Sequence, residues 1–268
     1  KLKSPYGIRL IKGSHIVVKR FHEHDGAFIL QNTDRRIVFV LPFQDDFSLI
    51  GTTDQEYQGD PAQVKIDQGE IDYLLKVVNE HFVTQLTEAD IVHHYSGVRP
   101  LCDDESNDPS AITRDYTLEL DSQADALPLL SIYGGKITTY RKLAESALRK
   151  LQPFFPNMGE SWTAKQPLIG ASTEYDSLDK IQDLLAQRFP QLAPKMLNRF
   201  SRSYGLLSLE LLGLAQHSHE LGVCFGADLY EQEVDYLMQH EWAQTTDDLL
   251  WRRTKLGLRL TALQVEQL

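Results

Sequence analysis

The chain has 268 residues, 42% of them hydrophobic, which is enough to bury a core in one large domain or two modest ones. Its 27 lysines and arginines against 38 aspartates and glutamates give a net charge of −11, which argues against non-specific binding of nucleic acid. No apolar run approaches the roughly 18–20 residues that cross a bilayer. The two cysteines, Cys102 and Cys224, form no motif, as is typical of a reducing compartment.

The start of the chain is basic although the whole is acidic. Such a stretch can face an anionic surface, including a membrane, but a simply solvated strand pair is the plainer interpretation. The cations of the first twenty residues are Lys1, Lys3, Arg9, Lys12, Lys19 and Arg20.

Closely spaced strands are predicted from residue 7 to residue 53. The dipeptides at 25–26 (Asp-Gly) and 45–46 (Asp-Asp) each separate two apolar runs, which indicates tight hairpins. Strands joined in this way favour an antiparallel meander. The predicted strands are GIRLIK, HIVVKRF, AFILQN, RIVFVLPF and FSLIGTT.

A helix and three more strands follow. Apolar residues recur at helical spacing over 66–82, which predicts an amphipathic helix. Strands are predicted in DIVHHYSGVRPL and AITRDYTLEL, on either side of a polar loop, and in LPLLSIY at 127–133. After a glycine pair, the apolar spacing over 140–151 predicts a second helix, and Pro153 and Pro156 mark its end.

Past about residue 165 no strand is predicted, and one helical pattern succeeds another. The fold class is therefore α+β, with a mainly antiparallel sheet followed by an all-α C-terminal domain. We place the boundary between residues 1–160 and residues 161–268. The helical segments are 177–189, 192–203, 207–216, 228–241 and 246–257.

The first candidate site is YGGKITTYR at 133–141, where a glycine pair ends a strand and opens a helix. Without a Cβ, glycine lets backbone N–H groups approach a ligand, and a helix start offers unpaired N–H groups to an anion. Lys136 adds a charge, and Thr138 and Thr139 add hydroxyls. The run is not a nucleotide P-loop, because position 130 is leucine where that loop needs glycine. The alternative is a tight turn whose glycines serve packing alone.

Two arginines and a histidine are the other candidates. Arg99 and Arg114 lie on strands predicted to be adjacent, and a planar guanidinium suits phosphate or carboxylate. Alternatively, nearby acids such as Asp103 and Asp115 pair with them at the surface. His15 can exchange a proton near neutral pH, although a lone histidine also fits a structural hydrogen bond. Histidine pairs elsewhere lack a third ligand, so no metal site is predicted.

Together these segments resemble the FAD-dependent glycerol-3-phosphate dehydrogenases. SGVRPL, ITRDY and GGKITTYRKLAE occur in that family's order, and RLIKGSHIVV, RIVFVLPF, IGTTDQEYQGDP and DDLLWRRTKLGLRL extend the match over nearly the whole chain. The resemblance implies a flavoprotein fold of the D-amino-acid-oxidase type with a C-terminal helical cap. It also implies oxidation of sn-glycerol 3-phosphate to dihydroxyacetone phosphate, with hydride transfer from C2 to FAD and electrons passed to membrane quinone.

The resemblance assigns roles by position. Arg99 and Arg114 match arginines that hold the substrate phosphate, Lys136 matches an active-site lysine, and His15 matches a histidine beside the substrate. The expected catalytic residues are therefore His15, Arg99 and Lys136, and the expected substrate ligands are Arg99, Arg114 and Lys136. The flavin-facing turn corresponds to Gly134, Gly135, Lys136, Ile137, Thr138 and Thr139.

The family's GxGxxG fingerprint for the ADP half of FAD is absent, and the sequence begins abruptly within a predicted strand. These features predict a fragment that is inactive and binds FAD weakly on its own. The resemblance implies a cytoplasmic enzyme attached peripherally to the inner face of the cytoplasmic membrane. A homodimer is compatible with the sequence, which does not fix the oligomeric state. Two alternatives remain: an oxidase that passes electrons to oxygen, and a non-catalytic interaction module.

Overall fold

A computed structural model of the chain describes residues 7–102, 115–122 and 127–268. Contacts divide the chain into two compact units, one ending at Ala164 and the other comprising Lys165–Leu268. Each unit encloses its own hydrophobic core. In these three ranges no helix combines the length and the apolar character needed to span a membrane. The same ranges contain no group of three histidine, cysteine or acidic residues placed to hold a metal ion.

A six-stranded antiparallel sheet forms the centre of the first unit. Its strands are Ile8–Lys19 (β1), Phe28–Gln31 (β2), Ile37–Phe43 (β3), Phe47–Gly51 (β4), Gln55–Glu56 (β5) and Ile91–Cys102 (β6). One edge of β1 pairs with β6, and the other edge pairs with β4 and β5. Beyond β4 the sheet continues with β3 and then β2.

This order is not the predicted meander. GIRLIK and HIVVKRF form a single strand that runs through Gly13. The hairpin predicted at Asp25 and Gly26 is wrong, because β3 and β4 lie between β1 and β2 in the sheet. Strands β1 and β6 are each 12 residues long, and they pair along most of their length. This long-range pairing replaces the predicted local hairpin.

The second predicted hairpin is confirmed. Phe43 of β3 pairs with Phe47 of β4, and the turn between them contains Asp45 and Asp46. Gln44 and Asp45 have φ values of 47° and 64°, a left-handed backbone that matches the twist of a tight hairpin.

Helix α1, Gln68–His81, covers one face of the sheet as its periodicity predicts. Asp67 and Glu70 form a capping box at its start, in which each side chain accepts a hydrogen bond from the other residue's backbone N–H. The apolar stripe of α1 packs on the inward-facing residues of β1 to β4. The buried residues of this core are Ile16, Val18, Leu30, Val38, Val40, Ile50, Ile71, Leu74, Val77, Val78 and Leu86.

Strands Tyr116–Asp121 (β7) and Leu129–Gly134 (β8) form a separate two-stranded sheet in the same unit. A 3₁₀ turn at Ile137–Thr139 follows the glycine pair, and helix α2 spans Tyr140–Leu151. The helix begins at the residue predicted for it, and the three consecutive β-branched residues before it, which disfavour an α-helical start, form the 3₁₀ turn.

The second unit is mainly helical. Its buried core includes Phe189, Phe200, Leu212 and Leu237. The helices are Leu178–Arg188 (α3), Pro194–Tyr204 (α4), Ser208–Leu212 (α5), Glu231–His240 (α6), a π-helical turn at Asp248–Arg253 and Ala262–Gln267 (α7).

One detail of the second unit differs from the prediction of helices alone. Cys224–Gly226 (β9) and Leu229–Tyr230 (β10) pair as a small hairpin. Its turn residues, Ala227 and Asp228, have φ values of 48° and 59°, so the segment 224–230 cannot join the helix predicted from residue 228. Helix α6 therefore begins only at Glu231.

Candidate active site

The sheet face opposite α1 presents the candidate residues of β1 and β6. Side chains alternate along a strand, so Gly13 and His15 face away from α1, whereas Ile16 packs beneath it. Residues directly opposite in an antiparallel pair share a face and form a rung. Three successive rungs are the histidine rung (His15 with Tyr95), the glycine rung (Gly13 with Gly97) and the arginine rung (Ile11 with Arg99).

Arg99 is held over Gly13 by two side chains that follow β4. Its Nη1 donates to Oδ1 of Asp54 at 2.8 Å, and its Nη2 donates to Oγ1 of Thr52 at 3.1 Å. A Cβ on Gly13 would lie 2.6 Å from both Nη atoms, so glycine makes room for the guanidinium. Because 31% of the Arg99 side chain is exposed, its other N–H groups can reach an anion.

His15 is partly buried and uncharged at neutral pH. Its ring stacks on Tyr95 with the centroids 5.0 Å apart and the planes 8° from parallel. On β4, a Cβ at Gly51 would overlap the imidazole, so that position also depends on glycine. Burial, and then the charge of Arg99, lower the pKa of His15 from 6.5 to about 4. Its Nδ1 is buried with no hydrogen-bond partner among the described residues.

The glycine turn after β8 lines a cavity of about 750 Å³. Gly134 and Gly135 have φ values of 69° and 99°, in the left-handed region that favours glycine. A Cβ on Gly135 would lie 3.3 Å from Cβ of Tyr116, so close packing against β7 is a second reason for glycine here. The exposed Lys136 lines the same cavity and has no ion-pair partner within the described part of the chain.

The cavity brings together most of the predicted site residues. Those that line it are Arg99, Gly134, Gly135, Lys136 and Ile137. Thr138 and Thr139 lie in the 3₁₀ turn behind this lining, where Oγ1 of Thr139 donates to the carbonyl of Lys136 at 2.9 Å. His15 lies outside the lining, near enough to Arg99 for the charge to act on its pKa.

Arg114 lies outside the described residues. The strands predicted to carry the two arginines as neighbours belong to different sheets, since β6 pairs with β1 and β7 pairs with β8. Among the described residues, the carboxylate that holds Arg99 belongs to Asp54, 45 positions earlier in the sequence.

Sequence patterns alone did not identify the residues that hold Arg99 and His15. Thr52 and Asp54 sit in IGTTDQ, a polar run directly after an apolar strand, which is the one local signal available. Their role depends on β4 lying beside β1, and the role of Tyr95 depends on its register with His15. Both facts are set by long-range strand pairing.

Two described cations of the basic start, Lys12 and Arg9, form ion pairs within the fold. Lys12 is only 6% exposed, and its Nζ lies 2.7 Å from Asp67 and 2.9 Å from Glu70. Burial by itself would lower the pKa of Lys12, but hydrogen bonds to these two carboxylates raise it overall. Arg9 pairs with Glu56 at 3.3 Å. Lys12 is therefore neither solvated nor available to an anionic surface.

Family comparison decides the affiliation of the chain. A family described as FAD dependent oxidoreductase matches residues 2–141. The chain belongs to the FAD-dependent oxidoreductase family. A second family, described as the C-terminal domain of alpha-glycerophosphate oxidase, matches residues 161–267. The fold class and FAD, the cofactor of this oxidoreductase family, are those predicted from the sequence.

Individual proteins extend this similarity. A glycerol-3-phosphate dehydrogenase from Pseudomonas aeruginosa is 56% identical, over 98% of this chain and 51% of its own length. The aerobic glycerol-3-phosphate dehydrogenase of Escherichia coli K12 is 55% identical, over 98% of this chain and 52% of its own. The predicted resemblance is confirmed. The chain spans about half the length of these curated relatives.

The similarity extends to a solved structure. The crystal structure of a glycerol-3-phosphate dehydrogenase from Bacillus halodurans, complexed with FAD, matches the fold with a TM-score of 0.75 at 25% identity. The match covers 98% of this chain and 51% of that one.

Proposed function

We propose that this chain forms the substrate-binding half of a flavoprotein that oxidises sn-glycerol 3-phosphate to dihydroxyacetone phosphate. The observation that supports this most directly is an arginine fixed beside a neutral histidine on one face of the sheet. The names of the relatives at 55% and 56% identity point to the same substrate.

The phosphate of the substrate is largely dianionic at neutral pH and needs cations that are already in place. Asp54 and Thr52 fix the guanidinium of Arg99 before the substrate arrives, so little side-chain entropy is lost on binding. Lys136 lines the cavity that reaches Arg99 and adds a second positive charge. Each charge-assisted hydrogen bond to the phosphate contributes about 1.5–3 kcal/mol. We assign Arg114 to the same phosphate because of its place in the ITRDY motif.

His15 is our proposed proton acceptor. With a pKa of about 4 the imidazole is unprotonated at neutral pH, the state a general base requires. As the C2 hydroxyl gives its proton to this ring, the C2 hydrogen leaves as hydride and the carbonyl of dihydroxyacetone phosphate forms. The fixed positive charge of Arg99 lies near enough to stabilise the oxygen while it carries negative charge.

The glycine turn fits the flavin portion of FAD. The cavity beside it has apolar walls that include Ile8 and Leu101, as a flat aromatic ring system requires. Ile137 is 89% exposed, so its apolar side chain is available to such a ring. Gly134, Gly135, Lys136 and Ile137 would hold the group, and FAD when bound supplies the acceptor for the hydride.

The final electron acceptor is proposed to be quinone, because the close relatives are named dehydrogenases. Peripheral attachment to the inner face of the cytoplasmic membrane would bring the flavin near that lipid-soluble acceptor. Oxygen is the second candidate, since residues 161–267 match a domain named for an oxidase. Peroxide formed in step with dihydroxyacetone phosphate would favour oxygen, whereas quinone-dependent turnover without peroxide would favour the dehydrogenase.

The test is flavin reduction in the complete protein that carries this chain. Under anaerobic conditions, glycerol 3-phosphate is expected to bleach the flavin absorbance. Arg99→Ala should raise KM by roughly 10- to 100-fold, because a charge-assisted contact to the phosphate is lost. Arg149→Ala, on the exposed surface of α2, is the matched control. An unchanged KM in Arg99→Ala would contradict the phosphate assignment.

A further inference from the structure

The glycine rung is a gap in the side chains of the site-facing sheet surface. Successive rungs on one face are two residues apart, or about 7 Å along the strand. The histidine and arginine rungs therefore lie about 13 Å apart along the backbone, with only main chain between them. The guanidinium of Arg99 reaches back over Gly13 and fills that half of the gap.

The other half of the gap is open. Within the part of the chain that the structure describes, no atom lies within 4 Å of a Cβ built on Gly97. Gly97 is exposed, and its φ lies outside the left-handed region, so its backbone conformation does not require glycine. A glycine inside a strand weakens it, and such a glycine often marks a place that a ligand approaches closely.

We propose that the space above Gly97 holds the carbon chain of the polyol phosphate, and that the missing side chain at Gly97 sets the width of the chain that the site accepts. This inference rests on the proposed function. With the phosphate at the guanidinium over Gly13 and the reacting hydroxyl toward His15, the carbons between them start at the glycine rung, where Gly97 lies directly opposite Gly13. A three-carbon phosphate ester is about as long as one step between rungs.

The geometry distinguishes this role from one in phosphate binding. A methyl group on Gly97 meets no described atom, so the strand should form as before and Arg99 should stay clamped by Asp54 and Thr52. The added methyl would occupy only the space assigned to the carbons. Substrate binding should therefore weaken, while binding of a bare phosphate ion should not.

The experiment compares Gly97→Ala and Gly97→Val with the wild type in the complete, FAD-loaded protein. We expect KM for glycerol 3-phosphate to rise about tenfold in Gly97→Ala and further in Gly97→Val. The inhibition constant of inorganic phosphate should stay within about twofold of wild type, because that ion occupies the phosphate site and none of the space assigned to the carbons. Gly159→Ala is the control, since its Cβ also meets no described atom within 4 Å and it lies outside both sheets of the unit. Thermal unfolding midpoints of all variants check that the fold is intact.

Each outcome decides a different point. If KM is unchanged in both Gly97 variants while Arg99→Ala raises it, the inference is wrong and the proposed function stands. If KM and the phosphate inhibition constant rise together, the methyl group disturbs Arg99, which also overturns the inference. If glycerol 3-phosphate does not reduce the flavin of the wild-type protein, the proposed function fails and the inference fails with it.

Discussion

At the scale of single residues, the surroundings of His15 determine its chemistry. Tyr95 covers one face of the imidazole, and the absence of a side chain at Gly51 lets the ring lie close to β4. Both contacts remove water, and the nearby charge of Arg99 further disfavours the imidazolium form. A histidine that looks unremarkable in the sequence therefore becomes a base that stays uncharged well below neutral pH.

We expect an NMR titration of His15 to show a midpoint near pH 4, with the signal assigned by its loss in His15→Asn. The unfolded chain binds this proton with a pKa near 6.5, so protonation favours unfolding. The stability contributed by the neutral ring is fully present above about pH 6.5 and is lost as pH falls toward 4, by up to about 3 kcal/mol. His15→Asn should flatten that dependence. A midpoint near 6.5 would show that the ring is hydrated and would remove the basis for its proposed role.

Gly13→Ala tests the position of the guanidinium. The new Cβ would lie 2.6 Å from both Nη atoms of Arg99 and 2.7 Å from Oγ1 of Thr52, so the guanidinium and the hydroxyl that holds it must both move. KM for glycerol 3-phosphate should therefore rise toward the value for Arg99→Ala, with kcat changed less. The free energy of unfolding should fall by only about 1 kcal/mol, measured by urea denaturation. If Gly13→Ala keeps the wild-type KM, the position of Arg99 does not depend on the missing side chain at residue 13.

At the scale of elements, a buried carboxylate joins α1 to the back of the site. Glu70 is 0% exposed and accepts hydrogen bonds from Oγ of Ser14 at 2.9 Å and Oγ1 of Thr53 at 2.6 Å. Lys12 completes its shell at 2.9 Å. Because Thr53 stands between the two residues that clamp Arg99, the network under the sheet also fixes the segment that orients the arginine.

Glu70→Ala should therefore cost about 3 kcal/mol of unfolding free energy, because it removes the acceptor of the buried Thr53 hydroxyl and one of the two carboxylates that pair with the buried Lys12. Urea denaturation followed by circular dichroism measures the loss. The control is Glu80→Ala on the same helix, where the carboxylate is 56% exposed and 3.9 Å from Lys76. That variant should stay within about 0.5 kcal/mol of wild type. Equal losses in the two variants would contradict the importance of the buried network.

At this scale, elements set by interactions between neighbouring residues are predicted from the sequence, whereas pairings between distant segments are not. The periodicity over 66–82 predicts α1, and the turn residues before Phe47 predict the β3–β4 hairpin, because both signals lie within a few neighbouring residues. Pairing of β1 with β6 joins segments about eighty residues apart, and no local pattern specifies it. The candidates Arg99, His15 and Lys136 followed from motifs, whereas Asp54 and Tyr95 required the sheet order.

At the scale of the whole molecule, the second unit has a polar centre of its own. Glu233 is 0% exposed and accepts hydrogen bonds from both Nη atoms of Arg199, at 2.6 Å and 2.7 Å. The hydroxyl of Tyr204 donates to the same carboxylate at 2.6 Å. Burial, followed by the charge of Glu233, raises the pKa of Tyr204, so the phenol remains a donor. These groups tie α4 to α6 within one core.

Because this core is complete within the unit, Lys165–Leu268 expressed alone should fold and unfold cooperatively. Glu233→Gln should lower its free energy of unfolding by about 2–3 kcal/mol, since the buried guanidinium loses its counter-charge. Glu266→Gln, on the exposed side of α7, is the control. A broad, non-cooperative transition in the wild-type unit would show that it needs the rest of the chain.

The change from alternating to helical patterns near residue 165 predicts the existence of this unit. Its small hairpin is not predicted, because it depends on two left-handed residues that leave no periodic signal.

The alternation along β1 has a consequence for how this stretch can change. Lys12 and Ser14 contact Glu70 under the sheet, while Gly13 and His15 lie on the face of the proposed substrate. Residues of the core and residues of the proposed site therefore alternate along one strand. A single residue inserted within 12–15 would exchange the two faces, turning the imidazole toward α1 and the buried lysine toward the ligand. Point substitutions here weaken one face at a time. An insertion or deletion removes both at once, so the spacing of these residues is more strictly constrained than their individual identities.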